Sequence, residues 1–106
     1  MYVDLLRHAL RNEKSELDGA TLLEHVVSCR LALLTSARAS DVSAYLTLAT
    51  DVAYDTALLR LCQALTLSTN ISSFAHPASE RHRLEHALSA IGIDLAERSR
   101  QHRVDP

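Results

Sequence analysis

The chain has 106 residues, 47% of them apolar and 4% aromatic, and a formal charge of −2. That length suits one domain, and so large an apolar share excludes a disordered chain. The slightly acidic balance weighs against a nucleic-acid binder working through a general basic field, because phosphates need net positive charge to hold them.

Glycine and proline occur only as Gly19, Gly92, Pro77 and Pro106. An all-β domain needs turn punctuation about every 8–12 residues, and residues 20–50 contain neither residue type. The expected fold is therefore all-α: a four- to five-helix bundle, one domain over residues 1–106, with 100–106 as a frayed tail. Without Trp and with a single Phe, its core must come from Leu, Ala and Val, and helices pack closely over Ala.

The first helix is predicted over residues 2–13, where Val3, Leu6 and Leu10 recur at helical spacing beside Leu5 and Ala9. The second opens near Thr21, which stands at capping-box spacing from Glu24, with Asp18 as the alternative cap. Its Leu22, Leu23, Val26, Val27, Cys29, Leu33 and Leu34 make a face wide enough to be covered from two sides. It should end near Ala37.

A Ser40 cap starts the third helix. Val42, Leu46, Ala49, Ala53, Ala57, Leu61 and Ala64 form one stripe, and Tyr45, Leu48, Val52, Leu59 and Cys62 a second. A single helix of roughly 25 residues is the first choice, and a break at Thr50–Asp51 the alternative. Residues 68–76 read as a loop pinned to the core by Ile71 and Phe74. Pro77 suits the first position of a fourth helix, where its missing amide hydrogen costs nothing. Leu84, Leu88 and Ile91 are its expected buried face. Gly92 ends it in a left-handed conformation, and Asp94 with Glu97 caps a last short helix anchored by Leu95 and Ala96.

Four constellations could carry chemistry. His82-Arg83-Leu84-Glu85-His86 fits a metalloprotease pattern in which two histidines one turn apart share a metal. Both lie about 160° from the core residue Leu84 on a helix, so a solvated face with weak surface metal binding at most is expected. Asp51, Tyr54 and Asp55 share one side of the third helix. Two carboxylates one turn apart repel, which calls for a nearby cation. Arg30 is the candidate, paired with Asp51 or Asp55 in a structural tie between helices, and the other option is a polar binding pocket. A helix-turn-helix outline at residues 88–100 lacks an apolar residue in the middle of its second helix, where Arg98 stands. Cys29 and Cys62 lack a Cys-x-x-Cys spacing and read as small core hydrophobes.

No convergent catalytic set and no cofactor motif is visible. The expected function is a non-enzymatic protein-interaction module whose partner is another protein or a second copy, because two apolar stripes exceed what a few short helices cover. A DNA-binding or transcription-associated protein is the alternative. Residues 61–79, the longest uncharged run, are interrupted by Gln63, Asn70, His76 and Pro77, so no membrane span is expected. Without a basic segment leading an apolar one at Met1–Asp4, a cytoplasmic location is expected.

Overall fold

A computed structural model describes residues 2–12, 19–38 and 43–104. Five helices follow in order: α1 (Tyr2–Asn12), α2 (Gly19–Arg38), α3 (Ala44–Ala64), α4 (Pro77–Ala90) and α5 (Leu95–Val104), with a 3-10 helix at Ile71–Ala75 before α4. No strand occurs among the described residues, so the bundle is all-α as composition requires. Also among them, no helix is long and apolar enough to cross a membrane.

The central pair is α2 and α3. α1 lies on α3 and on the 3-10 helix, α4 on the 3-10 helix and α3, and α5 on α2. Leu6, Val26, Leu58, Cys62, Phe74, Leu84 and Leu88 are all fully buried in one core. Within α3 the two halves differ. Tyr54 to Leu59 are buried at every position, whereas Ala44 to Ala49 are exposed at every position. Both predicted stripes of this helix are thus covered only in their C-terminal parts.

Local chemistry explains most boundaries. The N-cap of α3 is Ser43, not Ser40: its Oγ accepts the Leu46 N–H at 3.1 Å. Ser40 lies outside the described residues. The helix runs unbroken through Thr50–Asp51 for 21 residues. Thr50 does not start a new segment, because its hydroxyl donates back to Leu46 O and Thr47 O at 3.1 and 2.9 Å. α2 begins at Gly19, so Thr21 sits inside the first turn and cannot be its cap. Asp18, the alternative, lies outside the described residues.

The predicted loop contains the 3-10 turn, opened by Asn70 Oδ1 accepting the Ser72 N–H at 3.1 Å and pinned by the fully buried Phe74. Pro77 stands at the start of α4. α4 ends in a Schellman motif. Gly92, at φ +95°, donates its N–H to Ser89 O, and Ile93 donates to Leu88 O. That reversal corrects one expectation: Ile91 is 52% exposed, and Ile93, carried back over the last turn, packs on the core instead. In α5, Asp94 Oδ1 accepts the Glu97 N–H at 3.0 Å as expected. Leu95 is buried and Ala96 exposed. The second anchor is Ser99, one turn on, which is buried because its hydroxyl donates to Leu95 O at 2.7 Å and leaves no unmet polar atom.

Candidate functional site

Asp55 is fully buried on α3. Arg81 of α4 grips it in a two-point pair, Nε to Oδ1 at 2.6 Å and Nη2 to Oδ2 at 2.8 Å. The Tyr2 hydroxyl donates to the same carboxylate, and Arg81 also stands 3.7 Å from Asp51 Oδ1. The cation required by the two carboxylates thus comes from α4, not from Arg30. Arg30 instead lies 3.6 Å from Glu85 Oε2, which accepts the Tyr54 hydroxyl. Tyr54 and Asp55 are adjacent on a helix and point about 100° apart, so a single arginine cannot serve both. The α3 cluster therefore divides into two networks: Tyr2–Asp55–Arg81–Asp51 ties α1, α3 and α4, and Arg30–Glu85–Tyr54 ties α2, α4 and α3.

Burial raises the pKa of Asp55 above the ordinary carboxylate value, with Arg81 and Tyr2 pulling the other way. Burial, reinforced by the facing carboxylates, also lifts both Tyr2 and Tyr54. Both phenols are therefore protonated donors at neutral pH. An aspartate without contact to water, held at both oxygens, is a joint between helices and offers nothing to a substrate.

His82 and His86 are exposed on α4 with their rings stacked 6.5 Å apart. The Glu85 between them is engaged with Tyr54 and Arg30, so it does not share their side. Among the described residues no three His, Cys, Asp or Glu side chains converge as metal ligands. Cys62 is buried, which pushes its thiol up to about 11. Cys29 is half-buried, its Sγ 3.7 Å from His25 Nε2, and Cys29 and Cys62 are not joined in a disulfide.

A different feature faces solvent. A cavity of about 450 Å³ opens between α1 and the exposed half of α3. Leu5 and Ala9 form one wall; Tyr45, Leu48, Ala49, Val52 and Ala53 form the other. His8 and His25 stand at its edge. At its floor lies Thr56, 3% exposed, whose hydroxyl finds no hydrogen-bond partner among the described residues. Tyr45 is 82% exposed, and Leu5, Leu46 and Leu48 each more than two-fifths.

Sequence reasoning singled out the α3 carboxylates and missed this groove. The available signal was the excess of apolar stripe on the third helix. Nothing marked Thr56, because a threonine inside a helix ordinarily bonds back to the preceding turn.

No known protein family, characterised protein or solved structure matches the chain.

Proposed function

We propose that this chain is a non-enzymatic helical interaction module that works as a homodimer in the cytoplasm. The observation carrying the proposal is the bare N-terminal half of α3. Leu5, Tyr45 and Leu48 are exposed and line an apolar groove, and Leu46 next to them in sequence is exposed as well. Exposed apolar surface gathered in one place, instead of scattered singly, is the mark of a surface that another molecule covers. The interior acids support a binding role over a catalytic one. Asp55, Glu80 and Glu85 are each engaged by an arginine. Arginine usage also counts against the DNA-binding alternative, since Arg81, Arg83 and Arg100 already face carboxylates. The test is the solution mass across a concentration series. The expected result is a dimer that Leu48→Glu converts to a folded monomer with unchanged helical circular dichroism. A wild-type monomer at every concentration overturns the proposal.

A further inference from the structure

We infer that His82 and His86 form a two-ligand site for a divalent transition-metal ion, which braces one turn of α4 from its solvent side. The site lies apart from the groove, and the inference does not depend on the homodimer.

The chain has six histidines, and only this pair stands four positions apart. Four positions on an α-helix bring two side chains within about 40° of each other around the axis, with a rise of about 6 Å. The rings of His82 and His86 lie stacked, with 6.5 Å between centroids and 19° between planes. Both residues are exposed, and among the described residues neither ring has a hydrogen-bond or ion-pair partner. A metal ion takes imidazole nitrogen at about 2.0–2.1 Å. The two rings reach it by tilting toward each other, a motion that breaks no hydrogen bond.

The backbone beneath the pair is already fixed. Leu84 and Leu88 are fully buried on the opposite side of α4, and Arg81, next to His82, holds Asp55 through two bonds. The helix thus supplies the ligand spacing in advance, and binding has only two side chains to order.

Donor chemistry selects the ion. Imidazole suits Zn²⁺, Ni²⁺ and Cu²⁺, whereas Mg²⁺ and Ca²⁺ require oxygen ligands. Glu85, the acid between the two histidines, is held by Tyr54 and Arg30, and no third His, Cys, Asp or Glu converges among the described residues. Water fills the remaining positions on the ion. An ion held in this way loads reversibly, and because it links two turns only while α4 is helical, it stabilises the folded chain.

The test is zinc titration of the full chain, followed by calorimetry and by the histidine ring resonances in NMR. The wild type should take up one Zn²⁺ per chain, with the His82 and His86 resonances shifting first and together, and its melting midpoint should rise with Zn²⁺ concentration. His82→Ala and His86→Ala should each weaken binding about 100-fold, the advantage that a linked second ligand confers. His86→Ala/Ser89→His keeps two exposed histidines but sets them about 10.5 Å apart along the axis, so it should bind no better than His86→Ala. A titration without saturable binding overturns the site. So does zinc binding that ignores His82→Ala and His86→Ala, or that Ser89→His restores.

Discussion

Asp55 shows what a charge in this interior demands. Its carboxylate has lost water and recovers that loss through two arginine contacts and a phenol. Removing Arg81 leaves the acid buried and unpaired, so Arg81→Ala should cost about 3–5 kcal/mol in urea denaturation. The deficit has a pH sign. Asp55 already binds its proton more tightly than an unfolded carboxyl, and without Arg81 it binds it more tightly still. Once protonated it needs no cation. The gap between variant and wild type should therefore be smallest in the ordinary carboxylate range, where Asp55 is protonated in both, and widen as pH rises above that range, where the raised Asp55 titrates. A constant gap means the guanidinium acts by packing and not by charge. Arg30 is the contrasting case. Its partner Glu85 is 28% exposed and keeps the Tyr54 hydroxyl, so Arg30→Met should cost only about 1 kcal/mol after allowing for solvent screening.

Helix ends can be tested at the scale of single elements. Gly92 has φ +95° with nothing within 4 Å of an added Cβ, so any cost of Gly92→Ala comes from the backbone alone. About 1 kcal/mol is expected from thermal or urea melts, and Gly92→Asn should cost less, because asparagine tolerates positive φ better. An unchanged midpoint for the alanine variant would show that the Schellman turn relaxes at no expense. The helix signals that proved legible were those confined to a few adjacent residues: Pro77, Gly92 and the Asp94 cap. Those that misled were equally local but had competitors nearby. Ser40 and Ser43 are both good caps, and Thr21 has cap chemistry inside a turn that had already begun.

At the scale of the whole molecule, Cys62 reports on global opening. It is fully buried with a raised thiol pKa, while Cys29 is half-buried on α2. A thiol reagent at neutral pH should label Cys29 in the native protein and Cys62 only at the rate of global unfolding, by mass spectrometry of timed samples. Rapid native labelling at both would mean the centre of the bundle opens locally.

The sequence by itself determined the helical class, the approximate extent of the first four helices and most of the core, whereas α5 runs on to Val104 through residues expected as a frayed tail from 100 onward. Those follow from spacing and turn chemistry acting over one or two helical turns. Which arginine meets which acid, and which apolar stripe stays bare, only the tertiary structure decided. Arg81 and Asp55 are 26 positions apart and Tyr2 and Asp55 are 53 apart, and no periodic pattern encodes such pairings. Apart from Asp55, the exposed stretch Ala44 to Ala49 and the buried stretch Tyr54 to Leu59 draw on the same residue types, Tyr, Thr, Leu and Ala. What separates them is where the neighbouring helices lie, which no local pattern specifies.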